Sequence, residues 1–262
     1  MLTFNSDRDL RRALESVRDF DEIVINDGGS KDDTLKIAAE YGCRVIAQDA
    51  QFKNLDNTLK DIGGLRNQVI DAAKHDWVLI LDSDESISDG LRDEIAQAVN
   101  ALGDNLLYRV PMRMYIADRA ILYSSNYPGY QYRFFNRKSG ARFVRPVHNK
   151  IAFDLALAVG TFKNPWNVYW DAKDVDEYDA RSFKYIAEEV RSFSNLSAWD
   201  YLSYHIPWHS RVIIAVIVKT LRDRILHPFG ACMPLKIEFG RVRFQVRLLW
   251  EMGKKVLSSK ST

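Results

Sequence analysis

The sequence predicts an α/β fold, a mainly parallel sheet flanked by helices with a helical C-terminal appendage. Three observations carry the expectation. Short apolar runs alternate with stretches of helical periodicity through roughly the first hundred residues. Two of those runs, ending near Asn26 and Leu81, stop abruptly at acidic turns. Beyond His205 the chain becomes basic and again helical in period. A domain over residues 1–204 and a basic extension over 205–262 are therefore expected.

Taken in order, Leu2-Thr-Phe-Asn5 reads as the end of a strand. Ser6-x-x-Asp9 resembles a capping box opening a helix whose buried face holds Leu10, Ala13, Leu14 and Val17. Glu22–Asn26 is a second strand, Ser30-x-x-Asp33 caps the next helix, and Gly42 stops it. Arg44–Ala47 is a third strand, and a helix from about Gly64 to Ala73 leads into Trp77–Leu81, a buried and parallel strand by its apolar run. A helix over Asp89 to about Leu102 follows. Beyond Asn105 come aromatic-rich strands at 106–116, 130–136 and 142–153, with strand and loop over 156–170. Residues 175–193 read as one helix.

A hydrophobic content of 47% and a charged content of 27% are ordinary for a globular chain. The net charge of +2 hides an asymmetry: from His205 onward Lys and Arg far outnumber Asp223, Glu238 and Glu251, leaving the tail at about +8 and the rest at about −6. That distribution suits contact with an anionic surface. Cys43 and Cys232 are too far apart for metal-ligand spacing and fit a reducing, cytoplasmic compartment. No secretory signal is expected from the opening residues, and the apolar window Val212–Val218 is too short to cross a bilayer.

Chemistry concentrates at two turns. Along an extended chain Asp82 and Asp84 point the same way, and paired carboxylates at a strand end suit Mg²⁺ or Mn²⁺ beside a diphosphate. Asp27-Gly28-Gly29-Ser30 sits between strand and helix, where the glycines let a ligand approach and Asp27 accepts hydrogen bonds; a plain turn is the competing reading. The Gly-x-Gly-x-x-Gly and Gly-x-x-x-x-Gly-Lys-Ser/Thr spacings are absent, which disfavours Rossmann dehydrogenases and P-loop NTPases. His148 is a metal ligand, a diphosphate contact or a structural hydrogen-bonder. Arg133 suits an internal acid better than a phosphate. Trp166, Tyr169 and Trp170 suit a sugar face or the core.

Phe20-Asp-Glu-Ile-Val-Ile-Asn-Asp-Gly-Gly-Ser-Lys-Asp-Asp-Thr34 resembles the nucleotide-sugar signature of family 2 glycosyltransferases. Gly64-Leu-Arg-Asn67 and Asp76-Trp-Val-Leu-Ile-Leu-Asp-Ser-Asp-Glu85 resemble the second block of that family, in order and spacing. Tyr132-Arg-Phe-Phe135 and Val147-His148 are similar to a later region of its lipopolysaccharide-type members. The resemblance implies a GT-A fold and sugar transfer, metal-assisted and inverting, from a nucleoside diphosphate-sugar to a glycan or lipid-linked acceptor. It implies that Thr3, Asn5 and Asp27 contact the nucleoside, that Arg66 lies near the pyrophosphate, that Asp82 approaches ribose or metal, and that Asp84 ligates a divalent cation.

Two departures stand out. The first strand of such proteins is longer, so a truncated start is expected here. Asn149 stands where similar sequences carry Glu, and an amide does not titrate. The catalytic base is thus unassigned, with Asp154 and Asp171 as alternatives. A non-catalytic, membrane-peripheral sugar-nucleotide-binding protein is the second reading, and a nucleotidyltransferase the third.

In the tail, Val212, Ile213, Ile214, Ile217, Val218, Leu221 and Ile225 with Arg211, Lys219, Arg222 and Arg224 fit an amphipathic helix on anionic lipid or a core-packed helix with solvated charges. The expected partners are the donor, the acceptor and, on the lipid reading, that membrane surface at the cytoplasmic face, in envelope polysaccharide synthesis. Nucleic acid is not expected, since no binding signature is present.

Overall fold

The computed structural model describes residues 1–54, 59–101, 103, 105–144, 151–193 and 196–258. In chain order its elements are β1 (Leu2–Thr3), α1 (Asp7–Ser16), β2 (Val24–Asp27), α2 (Thr34–Glu40), β3 (Arg44–Ala47), α3 (Ile62–Ala72), β4 (Trp77–Leu79), β5 (Glu85–Ile87) and α4 (Asp89–Asn100). Then come β6 (Leu107–Ile116), β7 (Arg119–Ala120), β8 (Gly129–Asn136), β9 (Arg142–Phe143), β10 (Ile151–Ala152), β11 (Val159–Thr161) and β12 (Trp166–Trp170). The helices α5 (Ala172–Asp176), α6 (Tyr178–Phe183), α7 (Ile186–Ser192), α8 (Ala198–Asp200), α9 (Ile206–Leu226) and α10 (Leu235–Ser258) complete the chain.

Two compact units share these elements. The first holds residues 1–112 and 129–168, and the second holds 113–128 and 169–262. The boundary expected at 204/205 falls inside the second unit.

In the first unit β1, β2 and β3 form a parallel sheet, as the alternation of strand and helix dictates. Its buried side packs Leu10 and Leu14 of α1 and Ile37 and Ala38 of α2 against Ile25. The strand bearing the acidic turn departs from expectation. β4 pairs antiparallel with β8, with Val78 opposite Phe135, at the edge of a mixed seven-stranded sheet ordered β4-β8-β6-β12-β5. An apolar run reports burial, not the direction of the neighbouring strand, so its composition does not decide between the two. The core on this sheet joins Leu81, Ile87, Leu91, Ile95, Val110 and Phe134. Phe134 stacks on Trp77 at 4.8 Å between ring centroids.

The second unit is helical apart from β7 and the strand ends around it. Met114, Ile121, Met233 and Ile237 form one core, and Ile186, Leu248 and Met252 another. The single helix expected over 175–193 is instead α5, α6 and α7. Asp171 opens α5 with a capping box shared with Asp174, a start signal that the apolar pattern alone does not reveal.

Neither capping box expected in the first unit forms. Ser6 stands at the N-cap of α1 without a side-chain cap bond, and the Ser30 hydroxyl is taken by Asp27 while α2 begins at Thr34. Both serines are diverted to ties between turns, which bring the strand ends together.

Removing a buried aromatic ring forfeits its contacts and leaves a cavity. Phe134→Ala is expected to lower the unfolding free energy by about 3–5 kcal/mol, read from urea denaturation. A loss well under 1 kcal/mol would show that the ring is not part of the core.

Candidate functional site

The turn after β2 is organised by Asp27. Its carboxylate accepts four hydrogen bonds: Thr3 Oγ1 at 2.8 Å, Ser30 Oγ at 2.6 Å, and the amides of Gly29 and Ser30 at 2.8 Å each. Burial alone would raise its pKa, but these bonds from Ser30, Thr3 and Gly29 hold it below the ordinary carboxylate value. Gly29 has φ +93°, a backbone state that side chains strain to adopt, so glycine is required by the turn itself. Asn5 completes the arrangement: its Oδ1 accepts the Lys31 amide at 2.9 Å, and its own amide donates to Ser30 Oγ at 2.8 Å. Thr3, Asn5 and Asp27 are therefore gathered at one turn, with much of their hydrogen-bonding capacity spent on holding the loop.

The second turn continues β4. The Ile80 amide still donates to the Arg133 carbonyl at 2.8 Å, and the chain then turns through Asp82 to Glu85. Glu85 is the buried anchor. It takes Arg133 Nη1 at 2.7 Å and Nη2 at 2.9 Å, and it accepts the Asp82 amide at 2.9 Å. The Arg133 guanidinium lies over the Trp166 ring at 3.9 Å. A planar fork with both oxygens engaged and an aromatic face beneath leaves the pair little freedom.

Asp82 receives Arg66 Nη2 at 2.8 Å on both oxygens, with Arg133 Nη1 at 4.0 Å. Burial opposes its ionisation, but the Arg66 and Arg133 guanidiniums keep its pKa below the ordinary value. Asp84 differs. Its side chain is exposed, yet water lost to the surrounding turn and the Asp82 carboxylate push its pKa up. Arg66 answers Asp82 and Arg133 answers Glu85, whereas Asp84 has no ion-pair partner among the described residues.

The two turns meet. Ser83 Oγ lies 3.2 Å from Ser6 Oγ, and the Ser6 amide donates to Thr34 Oγ1 at 2.7 Å beside the Asp27 loop. The strand ends of β1, β2 and β4 thus open on one face of the first unit. Asp84 and Asp82 present hard oxygen donors of the kind that a divalent cation takes, with Asp84 the outward one. Among the described residues no group of three or more His, Cys, Asp or Glu is clustered for a metal, so such an ion would draw its remaining ligands from a bound diphosphate or water. His148 and Asn149 lie outside the described residues. Of the alternatives for a base, Asp154 accepts the Ala156 amide at 2.9 Å in a turn and Asp171 caps α5.

The pairing of Arg133 with an internal acid is as expected, but Glu85 as its partner was missed. The signal was available: an acid following the Asp pair beside an apolar strand, and an arginine inside Tyr132-Arg-Phe-Phe135. The aromatic residues are structural. Trp166 is 2% exposed beneath Arg133, Tyr169 stacks on Tyr115 at 5.0 Å, and Trp170 packs near Tyr178 at 5.9 Å.

A cavity of about 610 Å³ runs beside β2 and β4, lined by Ile23, Val24, Trp77, Val78 and Leu79, with Arg66 and Asp82 also in its wall. Asp27 and Asp84 do not line it. A wall that joins aliphatic side chains to acids such as Asp19, Glu22 and Asp93 suits no diphosphate, so the meeting of the two turns, rather than this space, marks the candidate site.

Burial first, with the Asp82 and Asp84 charges, raises Glu85 against the opposing pull of Arg133 to a pKa of about 7. The folded state then holds a proton that the unfolded chain, near 4.5, releases. Stability on this account falls as pH rises from about 4.5 to about 7. The Glu85 carboxyl carbon should titrate near 7 by NMR, and Glu85→Gln should remove that downward slope. A midpoint at the ordinary glutamate value would contradict this.

Comparisons with known proteins place the chain in a family. The model of glycosyl transferase family 2 matches residues 1–154. A TPR repeat-containing protein of Synechococcus elongatus is 30% identical over 200 residues, covering 72% of this chain and 44% of the relative. An uncharacterized glycosyltransferase of Rickettsia typhi is 32% identical over 96 residues, covering 36% of this chain and 30% of the relative. The chain thus spans less than half the length of these curated relatives. Among solved structures, glucosyl-3-phosphoglycerate synthase from Mycobacterium tuberculosis, in complex with Mn²⁺ and UDP-glucose, is 20% identical over 44% of this chain and 41% of its own, with a TM-score of 0.33. With its family model covering more than half of its residues, and both signature turns folded onto one face, the chain belongs to glycosyl transferase family 2.

Proposed function

We propose that the protein transfers a sugar from a nucleoside diphosphate-sugar to a glycan or lipid-linked acceptor, with inversion at the anomeric carbon and with a divalent cation bound at Asp84. The observation that carries this reading is the charge arrangement at the acidic turn: Asp82 and Glu85 are each matched by an arginine, and Asp84 is left exposed. On this reading the Asp27 turn receives the nucleoside, with Thr3 and Asn5 shaping it. Asp82 holds Arg66 at the edge of the diphosphate site, where the guanidinium meets the ribose-side phosphate. The cation, when bound, offsets the negative charge that develops on the departing diphosphate. His148 is a further candidate ligand by sequence.

The acceptor hydroxyl attacks from the face opposite the diphosphate, and its proton needs a base that Asn149 cannot provide. On this reading the two turns serve the donor, and the acceptor falls to residues beyond them. Envelope polysaccharide assembly at the cytoplasmic face of a membrane is the setting that this substrate pairing suits.

Asp84→Ala is the direct test. The variant should retain the wild-type unfolding curve, because the side chain is exposed, and should lose metal-dependent sugar transfer or donor hydrolysis by at least about a hundredfold. Unchanged turnover would refute the metal role. Calorimetry with UDP and Mn²⁺ separates loss of binding from loss of chemistry, and binding by the wild type without turnover on any acceptor would favour a sugar-nucleotide-binding protein instead.

A further inference from the structure

The long helices of the second unit each bury one face and leave an apolar one outside. On α9, the buried side carries His209, Thr220 and Asp223, and His209 Nδ1 meets Gln245 Oε1 of α10 at 2.5 Å. At a rotation of about 100° per residue, Ile214, Ile217, Val218, Leu221 and Ile225 fall within an arc of roughly 100° on the other side. All of them are exposed, Ile225 to 75%. On α10 the buried side carries Ile237, Leu248, Met252 and Val256, whereas Phe239, Val246, Trp250 and Leu257 recur at seven- and four-residue intervals along one outer line. Trp250 is 64% and Leu257 70% exposed. Scattered apolar side chains on a surface need no explanation, but continuous stripes on two neighbouring helices do.

The charges that α9 and α10 themselves carry are basic where they meet solvent, while Asp176 of α5 and Asp179 of α6 answer Lys236 and Arg243. Among the described residues of α9 and α10 the acids are Asp223, Glu238 and Glu251. Asp223 is buried against Arg222 at 2.6 Å, and Glu238 is buried against Arg241 at 2.9 Å. Glu251 is partly covered and receives Lys254 at 3.1 Å and Arg247 at 3.6 Å. Arg211 and Lys219 on α9 and Arg247 and Lys254 on α10 stay exposed. Arg211 and Arg222 lie about 60–80° round the helix from Ile214, on the shoulder of the stripe. The entry to α9 adds amphipathic rings: Tyr204 and Trp208 are exposed and stacked at 6.4 Å. No helix among the described residues is long and apolar enough to cross a membrane.

We propose that the outward faces of α9 and α10 seat this unit on an anionic lipid surface, the apolar stripes entering the acyl boundary and the basic shoulders meeting the headgroups. The match of charge selects the occupant: a rim of arginine and lysine with its acids turned inward complements phosphatidylserine-like headgroups. The inference is independent of the donor site, and it extends to α10 what the sequence suggested for the α9 segment alone.

Vesicle flotation of the full chain tests it. The protein should float with phosphatidylcholine vesicles containing phosphatidylserine at low salt, bind less as salt rises, and remain largely unbound with phosphatidylcholine alone. Leu221→Asp with Trp250→Ser should reduce the bound fraction at least tenfold with an unchanged circular dichroism spectrum. Arg211→Glu, at an exposed site on the shoulder of the stripe, should reduce binding to the anionic vesicles only. Absence of flotation at low salt, or equal flotation of all variants, would overturn the proposal. So would a concentration-dependent dimer that Leu221→Asp dissolves without any lipid binding, because the stripes would then join two copies of the chain.

Discussion

The site depends on a buried ion pair. Arg133 and Glu85 are each almost wholly enclosed, and above about pH 7, where Glu85 is charged, the two charges are tolerable out of water only because each satisfies the other. The fork of Arg133 meets both Glu85 oxygens, and Trp166 supplies the face beneath it. Because Glu85 also accepts the Asp82 amide, the pair fixes the backbone of the acidic turn and not merely a side chain. A fixed turn is what allows Asp82 and Asp84 to keep different environments only two residues apart.

Those environments divide the work. Asp82 is neutralised by Arg66, which is itself nearly buried and lies over the Phe143 ring at 5.4 Å. Asp84 is raised in pKa first by its reduced hydration and then by the Asp82 carboxylate, with Arg133 a weaker opposing influence. An exposed carboxylate that is reluctant to ionise alone gains most from an approaching cation. The Asp27 loop contributes differently, through shape: its carboxylate is saturated by its own turn, so its role is to hold Thr3, Asn5 and Ser30 in place while Ser6 ties the loop to Ser83.

Much of this was legible in the sequence. The order of strands and helices through Leu79 follows from periodicity, as does α4, whereas β5 was not foreseen, and the acidic turns at strand ends follow from where the apolar runs stop. The antiparallel partner of Trp77–Leu79 did not, because direction is set by Phe134 and Phe135 more than fifty residues away. Nor did the break of residues 175–193 into three helices, because α6 and α7 start without a side-chain cap that the sequence could announce. Glu85 was hidden by its neighbours, since three acids in four residues look alike until one of them is seen to face an arginine. The α10 stripe was overlooked because its apolar residues recur at intervals of seven and four, interleaved with the arginines that drew attention to net charge instead.

The central claim is that the Asp27 loop and the Asp82–Glu85 turn form one binding site. Backbone NMR with Mn²⁺ as a paramagnetic probe addresses it most directly. On addition of UDP and a trace of Mn²⁺, the amides of Gly29, Ser30, Ser83 and Asp84 should broaden together, and an excess of Mg²⁺ should reverse the broadening. Broadening confined to one of the two turns, or independent of UDP, would contradict a shared site.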